Sequence, residues 1–196
     1  MEIEPTETDA LYRTLTSAII PRPIGWISTC SDEGVPNLAP YSFFNGVNSN
    51  NPPVLMFSGK QSTDGSHKDT VTNVLETGEF VYNLVTEDLL EAMDKTSDEL
   101  PPDEDEFTHV GLEPTPSTTV DAPRVGEAKM NVECRLYETV PVGDHVVVFG
   151  QVTYVHVDDS VVTDGKVDVR KIDAVGRLTG TYYTKMSPVR VAKDQS

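Results

Sequence analysis

The stretch RPIGWISTCSDEGVPNLAPYSFF, from Arg22 to Phe44, constrains the fold more than any other part of the chain. Its first run alternates with a period of two: Ile24, Trp26, Ser28 and Cys30 share one face, and Gly25, Ile27 and Thr29 share the other. SDEG at 31–34 is a tight-turn sequence, with Gly34 available for a positive φ. The second run, 35–43, contains Pro40, which has no N–H to give to a sheet ladder, so this strand lies at an edge or is locally broken. Trp26 is expected in the core. Two readings of the small polar residues are open. Ser28, Thr29, Asn37 and Ser42 are either core groups that must find hydrogen-bond partners, or the rim of a site for a flat polar heterocycle, where broken pairing leaves main-chain amides and carbonyls free.

Further strands are expected at 53–58 and 80–85, and a helix opens after Ser66. Val71, Val74 and Leu75 fall at helical spacing, Gly78 is a natural stop, and Ser66 with Asp69 resembles a capping box with Asp in place of Glu. EDLLEAMDK at 87–95 reads as a short amphipathic helix. Asn45-Gly46 looks like a hairpin turn. The segment 96–123 is acidic and proline-rich, and is expected to be a surface excursion with one helical turn near 105–110, covering the site or contacting a partner if it is not merely solvated. The last third is β again: a long hairpin around Gly143-Asp144, a short ribbon at 160–172 and a closing GRLTGTYYTKM. Many strands, few helices and hairpin connections argue for an antiparallel barrel or sandwich. No G-x-G-x-x-G follows a strand, which argues against a Rossmann site.

At 196 residues the chain is read as one domain spanning 1–196. Its formal net charge is −17, from 32 acidic and 15 basic residues. Such a surface repels phosphate backbones and anionic bilayers, so neither a nucleic acid nor a membrane is an expected partner. An OB-like single-strand binder would need a basic groove, which this composition opposes. The charge suits a very salty, halophilic cytoplasm, and it also suits an ordinary acidic protein. The acidic start, MEIEPTETDALYR, lacks a basic-then-apolar leader, so a cytoplasmic location is expected. Cys30 and Cys134 form no framework and are read as buried thiols. His109, His145 and His156 are too dispersed to suggest a metal site, and each is read as a surface or hairpin histidine.

Four blocks fall in the order of a known family: RPIGWISTCSDEGVPNLAPYSFFNGVNSNNPPVLMFS, KDTVTNVLETGEFVYNLV, NVECRLYETVPVGDHVVVFGQVTYVHV and GRLTGTYY. Across roughly residues 12–190 the chain resembles the flavin reductase-like, FMN-binding split-barrel family, the first two blocks being the specific ones. The resemblance implies a mainly β fold: an antiparallel six-stranded Greek-key split barrel with flanking short helices, working as a homodimer with FMN near the interface. It implies that Ser28 and Thr29 line the flavin or its phosphate. Asn37, Ala39, Pro40, Tyr41 and Ser42 would present backbone and hydroxyls to the isoalloxazine and ribityl, with Asn45 nearby. Ser58 would approach the phosphate, beside His67, Lys68, Asp69 and Thr70 at a helix N-terminus, where free N–H groups and partial positive charge suit an anion. Arg177 and Tyr182 would return towards the site, Arg177 meeting a nicotinamide phosphate or only an inter-strand carboxylate. The implied activity is an NAD(P)H-dependent flavin reductase, with NADH or NADPH as donor and an oxygenase or other electron acceptor downstream. No catalytic acid or base is expected, because the cofactor carries the chemistry. A non-catalytic FMN-binding carrier, store or sensor is the alternative.

Overall fold

The computed structural model describes residues 2–4, 6, 8–62, 65–98, 100 and 105–190. In chain order the elements are α1 (Thr8–Ala18), β1 (Gly25–Cys30), β2 (Pro36–Tyr41), β3 (Phe44–Asn48), β4 (Val54–Lys60), α2 (Asp69–Thr77), β5 (Glu79–Asn83), α3 (Leu90–Lys95, entered through a 3-10 turn at Glu87–Leu89), α4 (Glu106–Val110), β6 (Pro114–Thr115), β7 (Arg124–Val125), β8 (Met130–Val142) and β9 (His145–Val157). The ribbons β10 (Val162–Thr163) with β11 (Lys166–Val167), and β12 (Val175–Arg177) with β13 (Tyr183–Lys185), follow.

The main sheet runs β2-β1-β5-β8-β9-β4-β3 and is antiparallel throughout. β2 and β3 are one run of chain bent at Ser42–Phe43. The half before the bend pairs with β1 and the half after it with β4, so the run closes the sheet into a barrel. Counted as one bent strand, it makes the barrel six-stranded, as the resemblance implies. Pro40 sits opposite Trp26 in β2, whose other side is unpaired, so the proline occupies an edge.

β1 is buried on both faces, and its alternation sends side chains into two cores. Ile27 joins Tyr41, Phe44, Phe57, Phe80, Val146 and Val148 inside the barrel, where Val71 and Val74 of α2 enter as well. Trp26 has no exposure and joins Leu38, Leu89, Met93 and Phe107 in an outer layer under α3 and α4, where its indole N–H donates to Thr96 Oγ1 (2.9 Å). Gly59 is required by packing: a Cβ there would lie 2.5 Å from Val71 Cγ2, so the bare backbone lets α2 seat on the end of β4. Gly78 ends α2 in the left-handed region (φ 74°), a conformation that glycine adopts without steric cost.

Several expectations need correction. Asn45 and Gly46 form no turn; they lie in β3, extended and exposed. The capping box does not form: α2 starts after Lys68, and no side chain caps it. The described part of 96–123 holds the expected helical turn as α4, and single buried side chains anchor the segment, so it is not merely solvated. Phe107 has no exposure, Ala122 is 1 % exposed, and Val120 is buried with Val81. Residues 99 and 101–104 lie outside the described residues. Cys134 is buried, but Cys30 is only half-buried. Helix α1 was not expected. Most of its described residues are exposed, including Tyr12 and Leu15, and Ile19 just beyond it is exposed too.

Candidate functional site

The residues expected to line a flavin separate into groups. Ser28 and Thr29 have no exposure, and their hydroxyls are used by the chain itself. Ser28 donates to the Pro123 carbonyl and accepts from Asn83 Nδ2 (3.0 Å). Thr29 Oγ1 accepts from Asn37 Nδ2 (3.2 Å) and Asn73 Nδ2 (3.0 Å), and Asn37 Nδ2 also donates to Thr70 Oγ1 (2.8 Å). This closed network fastens α2 to β1 and β2. Tyr41 turns inward against Phe57, ring centroids 4.8 Å apart. Burial pushes its hydroxyl up to about 12, and it lies against Thr70 without a hydrogen bond of ordinary geometry. Ala39 and Pro40 are half-buried along β2.

The second group is open. At the bend between β2 and β3, Arg22 Nη1 donates to Ser42 Oγ (2.6 Å), and its guanidinium carbon lies 5.7 Å from the Phe43 ring centre. Phe43 is exposed, and its carbonyl accepts from Ser58 N (2.9 Å). Ser58 Oγ meets His145 Nδ1 at 3.0 Å, and the His145 ring stands edge-on to Phe43 with centroids 5.9 Å apart. Register explains the meeting: β4 and β9 pair with Ser58 opposite Val147 and Lys60 opposite His145. Asn45 stands exposed on the adjoining β3 edge, its Oδ1 accepting from Gly46 N (2.8 Å). Arg22 is 6 % exposed, and its Nε is buried without a partner. Desolvation lowers its pKa, and no carboxylate pairs with it among the described residues.

The third group is the N-terminus of α2. Lys68 is exposed, and no carboxylate lies within ion-pair range of it among the described residues; the nearby Lys60 is paired with Asp144 at 3.4 Å. The N–H groups of Asp69 and Thr70 precede the first helical donors, which are Val71 and Thr72 bonding back to the Lys68 carbonyl. Asp69 complements the helix dipole. His67 is half-buried just before it.

Arg177 and Tyr182 stand apart. The Arg177 main chain pairs with that of Arg22 (2.9 Å each way), but its side chain turns to Tyr183 and to Asp94 (3.8 Å), the carboxylate alternative. Tyr182 is 69 % exposed. Arg22 and His145 were missed by the sequence reading. The only signal for Arg22 was its place between two prolines, and His145, read as a hairpin histidine, reaches Ser58 only through the β4–β9 register. His156 is a hairpin histidine, half-buried on β9, and its Nε2 meets the buried Glu133 of β8 at 2.6 Å. His109 pairs with Asp98 at 3.5 Å.

This barrel belongs to a recognisable class. The chain is a member of the flavin reductase like domain family, whose model matches residues 17–173. It is 46% identical over 184 residues to an uncharacterized protein of Aquifex aeolicus, covering 93% of each. Among solved structures it is similar to nitrilotriacetate monooxygenase component B from Bacillus cereus, with a TM-score of 0.92, 33% identity and 98% of each chain covered. It is also similar to flavoredoxin of Desulfovibrio vulgaris (Miyazaki F), with a TM-score of 0.78, 25% identity and 90% and 92% of the two chains covered. A flavin-related oxidoreductase with a split-barrel fold is therefore the class to which the chain belongs. No helix among the described residues is long and apolar enough to cross a membrane.

Proposed function

We propose that this chain is an FMN-binding, NAD(P)H-dependent flavin reductase of the cytoplasm. The observation that carries the reading is the open wall of Arg22, Ser42, Ser58 and His145 around the exposed Phe43, including a buried guanidinium N–H that the protein leaves unpaired. An orphaned donor of that kind costs about 1–3 kcal/mol, which a bound polar ring would offset. Such a ring also needs main-chain groups to meet, and β3, which pairs with β4 on one side and ends the sheet on the other, offers an edge for that. The phosphate is assigned to the α2 N-terminus, where the Asp69 and Thr70 N–H groups and Lys68 oppose the repulsion of a chain carrying −17. When bound, FMN supplies hydride acceptance from a nicotinamide and onward electron release. The chain's own part is to hold and orient: the N–H donors of Arg22 and His145 favour a ligand that gains negative charge, and Phe43 offers a flat face.

A homodimer is part of the proposal, supported by the uncovered apolar residues Tyr12, Leu15 and Ile19. Similarity to a monooxygenase component supports an oxygenase as electron acceptor. Similarity to a flavoredoxin supports the second reading, a carrier without turnover. Purified protein is expected to be yellow, to bind FMN in preference to FAD on titration, and to bleach within seconds of anaerobic mixing with NADH or NADPH. Colourless protein that fails to bind FMN overturns the proposal; bound flavin that neither nucleotide bleaches selects the carrier.

A further inference from the structure

A second concave region lies at the other end of β9, and the flavin chemistry makes no use of it. We propose that this cleft, between β7 and the ends of β8 and β9, binds a small planar anion: a flat ring bearing a carboxylate or phosphate. Its volume is about 410 Å³, within the ~300–1,000 Å³ usual for small-molecule sites. Arg124, Asn131, Tyr154, His156 and Asp158 are among the residues that line it. It lies about 35 Å along β9 from His145, at roughly 3.3 Å per residue, so one small ligand does not span both places.

Three features set the ligand chemistry. The first is an uncompensated cation. Arg124 donates from Nε to the Pro116 carbonyl (3.2 Å) and from Nη1 to Asn131 Oδ1 (3.5 Å), both neutral acceptors. Although the chain has 32 acidic residues, no carboxylate among the described residues pairs with Arg124. Asn131 is itself fixed, its Nδ2 donating to Asn83 Oδ1 and the Val125 carbonyl (2.9 Å each), so the guanidinium is aimed by a rigid partner. Asp158 does not cancel this charge, because its carboxylate is engaged by Lys129 (3.6 Å) and the Ser160 N–H (2.7 Å).

The second feature is a positioned imidazole. Glu133 has no exposure and accepts from Thr118 N (2.7 Å), Thr119 N (2.6 Å), Thr119 Oγ1 (2.6 Å) and His156 Nε2 (2.6 Å). Burial works to raise its pKa, but the hydrogen bonds, led by those from the Thr119 hydroxyl and His156, hold it at about 2. An ionised carboxylate only accepts, so His156 Nε2 is the donor of this bond, and among the described residues no hydrogen-bond partner meets its Nδ1. The third feature is a platform: the Tyr154 ring is 43 % exposed and lies 4.8 Å from the His156 ring. The acid head of the ligand meets the Arg124 fork, the ring lies on Tyr154, and a polar substituent reaches His156 Nδ1.

Calorimetric titration of the full chain with benzoate and with AMP, against acetate and inorganic phosphate as ring-free controls, tests this. At least one ring-bearing anion is expected to bind tenfold tighter than the control with its own head group, and whichever of benzoate and AMP binds tighter tells aromatic acid from nucleotide. Arg124→Gln is expected to weaken that binding at least tenfold, with Arg124→Lys in between, and Tyr154→Ala to bring it down to the ring-free control. Absence of binding by both probes at millimolar concentration overturns the proposal, as does unchanged affinity in Arg124→Gln. So does equal binding with and without the ring. The titration is run with and without added FMN, so a failure of flavin binding is read separately.

Discussion

The Thr29–Asn37–Thr70–Asn73 cluster and the Ser42–Ser58–His145 cluster are made of similar side chains in one barrel, yet one is sealed and the other open. In the first, the hydroxyls and amides meet one another on buried faces between β1, β2 and α2. In the second, half-buried groups surround an exposed ring and a guanidinium with an unpaired N–H. The difference is one of position in the sheet. β1 has a neighbour on each side and a core on each face, whereas the bend between β2 and β3 lies where the two edges of the sheet meet. A polar group in the first place is obliged to find a partner within the chain; in the second it is free to find a ligand. Substitutions in the two regions should therefore fail differently, the sealed one in stability and the open one in binding.

The largest effect is expected at Asn83, the hub of a second sealed network, built on Ser28 of β1. Its amide donates to the Trp26 carbonyl (3.1 Å) and Ser28, and its Oδ1 accepts from Val125 N (2.8 Å) and Asn131 Nδ2 (2.9 Å). Asn83→Leu strands several buried groups at once, so a loss of about 3–5 kcal/mol in urea denaturation is expected. If Asn83→Leu unfolds like wild type, this network is not holding the barrel together.

Glu133 gives the next effect, through pH. Its folded pKa of about 2 lies below the ordinary 4.5, so its contribution is fully present above pH 4.5 and disappears as pH falls towards 2. The amount is on the order of 3 kcal/mol, at 1.36 kcal/mol per unit. The stability gap between wild type and Glu133→Gln should therefore be constant above pH 4.5 and close as pH falls towards 2. A gap that fails to close on acidification would mean that the carboxylate's charge is not what the Thr118–Thr119 loop depends on.

The sequence made the strands, the tight turn at 31–34, the edge position of Pro40 and the stop at Gly78 legible, because each depends on one residue's own backbone restrictions. It did not make legible which hydroxyls are sealed. Ser28 and Ser42 look alike in a row of letters, and only the pairing of β1 with β5 and the approach of Pro123 bury the first. His145 was hidden for the same reason, its partner Ser58 lying 87 positions away across a register set by the whole hairpin. The packing of Phe107 and Val120 was masked by the acidic, proline-rich composition around them, which predicts solvent but says nothing of single apolar anchors.

On the open side, Lys68→Ala should leave the urea midpoint unchanged and weaken FMN binding about tenfold, which corresponds to about 1.4 kcal/mol. Because the charge acts through water at an exposed position, the difference should shrink as salt rises above 0.1 M. An effect that persists at molar salt would point to a direct, desolvated contact.

The smallest effect is expected at Ser58. Ser58→Ala removes one hydroxyl whose partner, His145, keeps access to water, so the folded state should lose less than about 1 kcal/mol. If the open wall holds the ligand, FMN affinity should fall a few-fold, and Ser58→Thr, which keeps the hydroxyl, should recover most of it. Thr29→Ser and Thr29→Val form the matched pair on the sealed side, where the recovery should appear in the denaturation midpoint instead. Recovery of both quantities at the same position would erase the distinction between the two clusters and make a single polar network of them.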